Sequence, residues 1–399
     1  MTSRLSIEDV EISGRRVLVR VDYNVPLQEG TSVISDDTRI RASIPTLRHL
    51  IDEGCSLVLC SHLGRPKGKR YPELSLKPIA KRLGEILEQK VQFVDNCVSE
   101  AAATAALKLG KGEILLLENL RFHRGEEENS LAFAKQLSVL AEVFINDAFG
   151  TAHRAHASIS GITKFLPSYA GLLLNKEVNY LENILENPKL PFTAILGGAK
   201  VSDKIKVIDR LTKIANNICI GGGMAATFLA ASNKGIGNSP IEANFINQAQ
   251  ILLNKKDSNN VNLILPNDVV VIKTFHKDSD FLVKSVDDLD DEDIIVDIGP
   301  ATADYYSSII RKSKTILWNG PMGVYEWRKA SAGTHSVAKA LAKGSMLSII
   351  GGGSTVDAVN FFGLQAQMTH VSTGGGASLE LLEGRDLPGV ASLRQKTKG

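Results

Sequence analysis

Short apolar runs alternate with longer amphipathic stretches along the chain, and this alternation constrains the fold more than any other feature. Apolar runs of about four to eight residues predict buried strands, and the stretches between them carry the apolar spacing of helices. Strands that alternate with helices need crossover connections, which build mostly parallel sheets covered by helices on both faces. The predicted fold class is therefore α/β.

The predicted strands fall into two series. In the first half they are Arg16–Tyr23, Ser56–Ser61, Ile114–Asn119 and Val143–Asp147. In the second half they are Thr193–Gly198, Asn217–Gly221, Asn262–Ile272, Thr315–Asn319, Met346–Ile350 and Thr369–Thr373. The helices predicted between them include Lys77–Gln89, Leu131–Leu140, Lys204–Ala215 and Ser331–Ala342.

A long predicted helix, Leu172–Glu186, separates the two series. It is followed by Asn187-Pro188 and Pro191, which stop a helix. We therefore predict two Rossmann-like three-layer domains joined by a connecting helix and hinge, with the division near residue 170. The acidic run Asp287–Asp293 is predicted to be a solvated loop.

The charge balance limits which partners the chain attracts. Its 46 basic and 44 acidic residues leave a formal net charge of +2, so no overall field draws it to nucleic acid or anionic lipid. The start of the chain lacks the apolar segment of a signal peptide, and no apolar run approaches the ~20 residues that span a bilayer. The sequence predicts a soluble, cytoplasmic protein without nucleic-acid or membrane partners.

The cysteines indicate neither a metal site nor a disulfide framework. Cys55, Cys60, Cys97 and Cys219 form no C-x-x-C pair and no metal-site spacing. Cys60 and Cys219 lie inside apolar strand-like runs and are predicted to be buried.

Glycine triplets mark the second half of the chain. Gly221–Gly223, Gly351–Gly353 and Gly374–Gly376 each follow an apolar run and precede a predicted helix start, and the pair Gly197-Gly198 stands before Ala199-Lys200. Such turns let backbone N–H groups and the positive end of a helix dipole approach an anion closely. The repeated pattern predicts that this half holds a phosphorylated ligand.

Arginine marks the first half, where 13 of the 18 arginines lie within residues 1–168. The guanidinium group suits carboxylate and phosphate oxygens. The polar residues just past predicted strand ends are Asp22, Asn24, His62, Arg65, Arg121 and Arg154, and Arg39 joins them from a predicted loop. Parallel strands end at one sheet edge, so this pattern predicts a site for a doubly anionic small molecule. His153 and His156 could face the ligand, but local hydrogen bonds that shape their turn explain them equally well. We therefore do not include them in the predicted site.

Six segments of the chain carry the motifs RVDYNVP, SHLGRP, ENLRF, NDAFGTAHRAH, GGAKVSDK and WNGPMGVYE. They are Arg20–Pro26, Ser61–Pro66, Glu118–Phe122, Asn146–His156, Gly197–Lys204 and Trp318–Glu326. In this order, across nearly the whole chain, they resemble the signature segments of the phosphoglycerate kinase family. The resemblance implies reversible phosphoryl transfer from 1,3-bisphosphoglycerate to ADP, giving 3-phosphoglycerate and ATP, in a cleft between two similar α/β domains of a monomeric enzyme of glycolysis, gluconeogenesis or carbon fixation.

The resemblance also implies roles for the two halves. Residues 1–170, with a returning segment 385–399, would be the glycerate-binding domain, and residues 171–384 the nucleotide-binding domain. The glycerate ligands would be Asp22, Asn24, Arg39, His62, Arg65, Arg121 and Arg154. The nucleotide ligands would be Gly198, Ala199, Lys200, Lys204, Gly221, Gly222, Asn319, Pro321, Gly323, Val324, Glu326, Gly351, Gly352, Gly353, Ser354 and Thr355.

The chemistry needs no base, because the acceptor oxygen is already ionised in either direction. The transfer requires in-line positioning and positive charge around the phosphoryl group. Arg39, Lys200 and the helix starts at Gly353 and Gly375 could supply that charge, and closure of the two domains would bring them together.

One position departs from the family pattern. Ser354 stands where the family usually has an aspartate that helps to hold the magnesium ion of ADP or ATP. A hydroxyl is a weak ligand for this hard cation. Either phosphates and water hold the ion, with Asp357 as an outer-shell partner, or activity is reduced. Asp357 can equally be an ordinary first-turn helix acid.

Two other functions remain open at the level of sequence. An NAD-dependent dehydrogenase would use Gly221–Ala226 as its G-x-G-x-x-A fingerprint and Glu242 as its ribose acid, but it leaves the arginines unexplained. A binding or scaffold protein of the same fold, silenced at Ser354, would have no need of both Arg39 and Lys200. A P-loop kinase is excluded, because G-x-x-x-x-G-K-[ST] occurs nowhere in the sequence.

Overall fold

A computed structural model describes residues 4–255 and 260–395 of the chain. The chain divides into two compact units. Unit 1 consists of two chain segments, one that ends at Asn179 and one that begins at Asp386. Unit 2 comprises Tyr180–Arg385.

Each unit contains a six-stranded parallel sheet within the described residues. The strands of unit 1 are β1 Arg16–Arg20, β2 Ser56–Cys60, β3 Val91–Val94, β4 Ile114–Leu117, β5 Val143–Asn146 and β6 Ser168–Ala170. The strands of unit 2 are β7 Phe192–Leu196, β8 Asn217–Ile220, β9 Asn262–Ile264, β10 Asp268–Ile272, β11 Leu282–Ser285, β12 Ile294–Ile298, β13 Thr315–Asn319, β14 Leu347–Gly351 and β15 His370–Val371. Strands β10, β11 and β12 form a separate antiparallel sheet.

Helices cover the sheets. They are α1 Thr38–Asp52, α2 Lys77–Leu87, α3 Glu100–Leu107, α4 Arg124–Glu127, α5 Leu131–Ser138, α6 Leu172–Glu186, α7 Ile205–Leu211, α8 Met224–Ala231, α9 Ile246–Asn254, α10 Pro300–Lys312, α11 Ala332–Ala342, α12 Gly353–Phe361, α13 Gly376–Leu382 and α14 Pro388–Ala391. The bounds of α6 match the predicted connecting helix, which crosses from unit 1 into unit 2.

The parallel sheets are buried on both faces, as the apolar strand sequences predict. In β1, Val17 and Val19 pack into one core of unit 1, whereas Leu18 between them packs into another. Successive side chains of a strand point to opposite faces, so an uninterrupted apolar run such as this one serves two cores. The α/β fold class with mostly parallel sheets is confirmed.

The strand orders place the site-bearing loops. The sheet of unit 1 runs β3-β4-β2-β1-β5-β6, and that of unit 2 runs β15-β14-β13-β7-β8-β9. In unit 2 the chain builds outward from β7 in one direction and then from β13 in the other, so the strand order reverses between these two neighbours. Crevices at such reversal points, beyond the strand carboxyl ends, are where open α/β sheets bind ligands.

The prediction of one strand over Asn262–Ile272 is wrong. The segment contains β9, in the parallel sheet, and β10, in the antiparallel sheet. Pro266 stands between them, and proline cannot donate a ladder hydrogen bond within a strand. Strands β3, β6, β11 and β12 also occur where no strand was predicted.

The acidic run is not wholly solvated, contrary to the prediction. Asp293 is fully buried, and its carboxylate pairs with Lys284 at 2.7 Å and Lys273 at 3.1 Å. Its Oδ2 also accepts a hydrogen bond from the backbone N–H of Asp290 at 2.7 Å. The run folds around two lysines because a buried carboxylate needs cationic and hydrogen-bonding partners.

The returning C-terminal segment contacts unit 1 near the end of its sheet. Within unit 1, Gly389 N donates to Ala152 O at 2.8 Å, and Asn146 Nδ2 donates to Gly389 O at 2.9 Å. The returning C-terminal segment thus binds beside the end of β5.

All four cysteines are buried and free, as expected for Cys60 and Cys219. In the part of the chain that the structure describes, no helix has the length and apolar content to cross a membrane.

Candidate active site

The predicted residues of unit 1 lie beyond the carboxyl ends of four adjacent strands. Asp22 and Asn24 follow β1, His62 and Arg65 follow β2, Arg121 follows β4 and Arg154 follows β5. These strands stand side by side in the order β4-β2-β1-β5, so their ends share one edge of the sheet. The sheet topology therefore gathers residues that are up to 132 positions apart in the sequence, from Asp22 to Arg154.

Asp22 forms an ion pair with Arg39, and the prediction that Arg39 lies in a loop is wrong. Arg39 is the second residue of helix α1, and its Nη1 donates to Asp22 Oδ2. At the start of the helix, Asp36 accepts hydrogen bonds from the backbone N–H of Thr38, at 2.8 Å, and from its hydroxyl. The guanidinium group is consequently presented from the first turn of a helix.

Asn24 is oriented by a backbone contact. Its Oδ1 accepts a hydrogen bond from Gly64 N at 2.9 Å, and its own N–H donates to Asp22 Oδ1 at 3.3 Å. Because the side-chain oxygen is engaged, the Asn24 amide group is left with its two N–H donors. Those donors suit a ligand hydroxyl or an anionic oxygen.

His62 lies among guanidinium groups. Its ring is 3% exposed, and Nδ1 lies 3.2 Å from Arg20 Nη2. Burial holds the pKa of His62 well below its ordinary range, and the charges of Arg20, Arg121, Arg154 and Arg39 lower it further. The ring is therefore neutral across the physiological pH range.

Arg121 is a buried cation with an unused donor. It is 2% exposed; its Nη1 donates to Gly64 O at 2.7 Å, and its Nε lies 3.4 Å from Glu127 Oε1. Nη2 has no hydrogen-bond partner within the described residues. Burial and the neighbouring charge of Arg154 lower the pKa of Arg121 to about 10. A buried guanidinium with an unsatisfied N–H is suited to an anionic ligand.

The remaining residues of this group differ in burial. Arg154 is half-buried, and its Nε lies 3.2 Å from Nε2 of His153. Arg65 is exposed beyond β2. His156 is buried, and burial together with the charges of Arg121 and other neighbours lowers its pKa to about 3.

In unit 2 the loops after β7 and β13 pack backbone against backbone. Gly197 N donates to Asn319 O at 3.0 Å, and Gly198 N donates to Pro321 O at 2.9 Å. A Cβ on Gly197 would overlap the carbonyl of Pro321, and one on Gly320 would overlap Gly197. Glycine is required here because the two loops approach too closely for a side chain.

The first glycine triplet is packed rather than open, which corrects its reading as an anion-binding turn. Gly221 N donates to Leu196 O and Gly222 N to Met322 O, both at 2.9 Å. A Cβ on Gly222 would lie 2.5 Å from Gly198 N, and Gly222 adopts a φ of +64°. These two amides are used within the protein, so they cannot cradle a phosphate.

The later triplets present open glycines. A Cβ on Gly353, the first residue of α12, or on Gly375, before α13, would meet no atom within 4 Å. The first amides of an α-helix have no intrahelical partner, so the N-terminus of α12 offers N–H donors on an uncovered face. Gly351 and Gly352 lie beside Asn319, whose Nδ2 would be 3.2 Å from a Cβ on Gly352.

Asn319 supplies a buried donor at the same place. The residue is 2% exposed, and within the described residues its Nδ2 has no hydrogen-bond partner. Thr355, in the first turn of α12, differs, because its hydroxyl already accepts a hydrogen bond from Gly320 N at 2.6 Å. The side chain of Thr355 therefore fixes the loop after β13, and that of Asn319 stays available to a ligand.

The lysines of unit 2 stand at the loop after β7. Lys200 and Ala199 are exposed, and Lys204 is half-buried with its Nζ 3.2 Å from the position of a Cβ on Gly198. Burial lowers the pKa of Lys204. The loop after β7 therefore carries one cation in solvent and one against the glycine backbone.

The segment after β13 combines buried and exposed positions. Pro321 is buried, whereas Glu326 is exposed. Val324 N donates to Val296 O at 2.9 Å, which ties this segment to β12. A Cβ on Gly323 would overlap the carboxylate of Asp297. Burial raises the pKa of this 1% exposed carboxyl group to about 7.

Comparison with known proteins now identifies the family. The family model described as phosphoglycerate kinase matches residues 7–385. The chain belongs to the phosphoglycerate kinase family. It is 48% identical to the phosphoglycerate kinase of Herpetosiphon aurantiacus over 394 residues, which cover 99% of this chain and 100% of that protein. It is 47% identical to that of Clostridium kluyveri over 397 residues, 99% of each chain.

Solved structures of phosphoglycerate kinases share the fold. The structure from Coxiella burnetii has a TM-score of 0.89 and 39% identity, and the one from Pyrococcus horikoshii has a TM-score of 0.85 and 31% identity. Each covers 98% of this chain and is itself covered to 98%. The predicted function, phosphoglycerate kinase activity of a phosphotransferase with a carboxyl acceptor, is confirmed by these likenesses.

The dehydrogenase alternative is not favoured, and the geometry explains why. Glu242, its proposed ribose acid, accepts hydrogen bonds from Ser202 N at 2.9 Å and from Ser202 Oγ at 2.7 Å. The carboxylate thereby anchors the loop after β7. The glycine fingerprint at Gly221–Ala226 is closed by the packing described above.

Sequence reasoning did not single out Arg20, which the structure buries within the candidate site of this phosphoglycerate kinase fold. It occupies the last position of β1 and is fully buried against His62. The available signal was a charged residue directly after the apolar run Val17–Val19 of β1, because buried charges are rare unless they are paired. Asp297 gave the same signal in β12, within the run Ile294–Ile298.

Proposed function

We propose that the chain binds 3-phosphoglycerate or 1,3-bisphosphoglycerate on unit 1 and ADP or ATP on unit 2. One observation carries the glycerate assignment: Arg121 is buried with an unsatisfied donor at a sheet edge that also holds Arg39, Arg154 and a neutral His62. A buried cation of this kind is stabilised by an anionic ligand. Asp22 and Asn24 would bind the glycerate hydroxyl, and the arginines its phosphate and carboxyl groups.

The nucleotide assignment is supported by Gly353 and Asn319. The open amides that begin α12 and the unpartnered Nδ2 of Asn319 are donors for phosphate oxygens, and Lys200 and Lys204 add positive charge. Gly198, Gly221, Gly222 and Pro321 would line the base, as the family resemblance implies. Glu326 would accept hydrogen bonds from the ribose.

The reaction step follows from these groups. A carboxylate oxygen of 3-phosphoglycerate attacks the terminal phosphorus of ATP, the bond to the bridging oxygen breaks, and ADP leaves; the reverse reaction regenerates ATP. No proton is removed, because the attacking oxygen is already ionised. The main barrier is the negative charge on the transferring phosphoryl group. That charge would be neutralised by Lys200, Arg39 and the amides at Gly353 and Gly375.

Magnesium is the cofactor that this reaction implies. The described residues contain no cluster of three or more His, Cys, Asp or Glu side chains suited to a metal. Ser354 and Asp357 are exposed in the first turns of α12. This donor set fits an ion held chiefly by nucleotide phosphates and water, with Ser354 as a weak ligand, because Mg²⁺ retains several waters. Bound magnesium would neutralise phosphate charge.

A coupled assay with 3-phosphoglycerate, ATP and magnesium tests the function directly. We expect ADP formation that depends on all three, and no turnover of NAD(P)H. A protein that binds 3-phosphoglycerate but forms no ADP would favour the silenced scaffold. NADH binding that ATP cannot displace would favour the dehydrogenase.

We further propose that both ligands together bring the two units closer, and that the enzyme is a cytoplasmic monomer as the family resemblance implies. In-line transfer requires reacting atoms about 3–3.5 Å apart, and the two ligand sets belong to different units. Small-angle X-ray scattering should show a smaller radius of gyration only with both ligands present. An unchanged radius with both ligands would refute closure.

A further inference from the structure

Arg20 donates from all three of its side-chain nitrogens to groups in its surroundings. Nε donates to Ser158 Oγ at 2.9 Å, Nη1 donates to Val21 O, and Nη2 lies 3.2 Å from Nδ1 of His62. Arg20 is fully buried, so these contacts are made out of solvent. The resemblance to phosphoglycerate kinases did not place this residue among the ligands.

The contact between Arg20 and His62 determines where the imidazole proton lies. An arginine side chain has only donors and stays protonated in proteins. Nδ1 of His62 must therefore accept the hydrogen bond, so it carries no proton. The ring is then neutral, with its single proton on Nε2.

A second chain of hydrogen bonds holds Arg20 from behind. Ser158 Oγ donates to Glu126 Oε1 at 2.7 Å, and Ser158 N donates to Glu126 Oε2 at 3.0 Å. Glu126 and Ser158 are fully buried, as is Arg20. The Glu126 carboxylate balances the buried guanidinium, and the connected network gives Arg20 one orientation.

The charged groups around His62 come from several elements at this sheet edge. They are Arg20 at the end of β1, Arg39 in α1, Arg121 after β4 and Arg154 after β5. The nearby acids are already paired: Asp22 binds Arg39, and Glu126 binds Ser158 behind Arg20. A protonated His62 would add a positive charge among four others and would turn an N–H toward Arg20.

We propose that Arg20 is a positioning residue that holds His62 as the neutral Nε2–H tautomer, so that His62 serves the glycerate ligand as an uncharged hydrogen-bond donor. The consequence for binding rests on the proposed glycerate site, whereas the tautomer itself does not. A neutral donor keeps its hydrogen bond when the pH changes. The affinity for the glycerate ligand would therefore have no pH dependence that arises from His62 between pH 5 and 8.

The tautomer can be read directly by NMR on the full chain labelled with ¹⁵N-histidine. Long-range ¹H–¹⁵N correlation spectra of the eight histidines would be recorded from pH 8 to 5 without ligand, and His62→Gln would assign the resonance. We expect protonated Nε2, unprotonated Nδ1 and no titration for His62. The exposed ring of His276 serves as an internal reference. A His62 ring that titrates in this range, or that carries its proton on Nδ1, would overturn the proposal.

Variants of Arg20 separate positioning from simple loss of charge. Arg20→Met should let His62 titrate between pH 5 and 8 and should raise KM for 3-phosphoglycerate by about tenfold to a hundredfold, the range for a hydrogen bond to a charged group. Arg20→Lys keeps a charge and a donor and should restore the neutral tautomer. Unchanged tautomer and titration in Arg20→Met would refute the role. If that variant fails to fold, the spectra of the parent protein still decide.

A ligand titration distinguishes this inference from the proposed function. Addition of 3-phosphoglycerate should shift the His62 Nε2–H resonance in the parent protein. A neutral Nε2–H tautomer with no ligand-induced shift would leave the tautomer established and remove the glycerate site.

Discussion

The proposed ligand sites of the two units are built by opposite means. Unit 1 uses charged side chains that are themselves buried, such as Arg121, and it desolvates them before any ligand arrives. Unit 2 uses backbone amides beside glycines, such as Gly353, and keeps Lys200 in solvent. The buried cationic side chains of unit 1 are part of its packed interior, whereas in unit 2 the backbone forms the candidate site and the cation Lys200 is exposed.

This difference predicts whether a mutation affects binding, folding or catalysis. A buried guanidinium is held by several partners, so its loss affects both binding and folding. An exposed lysine has few partners, so its loss should affect catalysis alone. The glycines of unit 2 divide in the same way, into those that pack against protein and those that face outward.

The largest expected effect comes from Lys200. Lys200→Ala should lower kcat by at least about a hundredfold, because one oxyanion-type contact supplies about 2.7–4 kcal/mol of transition-state stabilisation. KM for 3-phosphoglycerate should change little. Lys206→Ala, at another exposed lysine of unit 2, is the matched control. A Lys200→Ala enzyme within threefold of the parent would refute the assigned role.

The next effect separates packed from open glycines. Gly222→Ala should destabilise unit 2 by about 3 kcal/mol or more, because the new Cβ meets backbone atoms at 2.5 Å and 2.7 Å and φ is +64°. Gly353→Ala should change stability by less than about 1 kcal/mol, since its Cβ meets nothing. It should instead raise KM for ATP.

Urea unfolding followed by tryptophan fluorescence measures this difference, because both tryptophans, Trp318 and Trp327, lie in unit 2. Equal stability of Gly222→Ala and Gly353→Ala would show that the close packing of Gly222 does not limit stability. Unchanged KM in Gly353→Ala would show that its open face is not a phosphate site.

Two buried ionisable residues, His156 in unit 1 and Asp297 in unit 2, should change stability with pH in opposite directions. The pKa of His156 in unit 1 is lowered to about 3, so below its ordinary value of 6.5 the unfolded chain takes up a proton that the folded chain does not. The unfolding free energy should therefore fall by about 2 kcal/mol from pH 6.5 to 5 through this residue. His156→Gln should flatten that decline, measured by urea unfolding followed with NMR signals of unit 1.

Asp297 in unit 2 should act with the opposite sign. Its pKa is raised from 3.8 to about 7, so the folded chain keeps a proton that the unfolded chain has lost. The unfolding free energy should fall by about 2 kcal/mol as pH rises from 5.5 to 7. Asp297→Asn should flatten this slope in tryptophan-monitored unfolding. An unchanged slope would mean that the carboxyl group is ionised throughout.

The smallest effect is expected at Ser354. Ser354→Asp should lower the magnesium concentration needed for half-maximal turnover by up to about tenfold, or about 1.4 kcal/mol, because a carboxylate is a better ligand than a hydroxyl. Ser354→Ala is the matched control for the hydroxyl. A magnesium dependence that is the same in all three proteins would mean that this position does not contact the ion.

Local patterns were enough for much of the fold and for the sheet-edge placement of the candidate residues of unit 1, with the exception of Arg39. Apolar runs located β1, β2, β13 and α6 because burial on both faces leaves a strong mark on a strand sequence. Polar residues after those runs lay at one sheet edge because parallel strands share their direction. Short strands such as β3 and β6 left no comparable mark, since they lie at or near sheet edges.

Other features needed the tertiary structure. Nothing local shows that the amides of Gly221 and Gly222 are occupied while the Cβ face of Gly353 is open, since all belong to similar triplets. The two loops that pack against Gly222 carry Gly198 and Pro321, which are distant from each other in the sequence. Equally, nothing local places Asp293 against Lys284 and Lys273.

The sequence by itself determined the α/β architecture, the division into two strand–helix series and the family, because periodicity and ordered motifs are properties of neighbouring residues. Only the tertiary structure decided which donors are buried, which are already satisfied and which remain for a ligand. Burial and hydrogen bonding depend on residues brought together by strand order, as Arg20, His62, Glu126 and Ser158 are, and no spacing along the chain records those encounters.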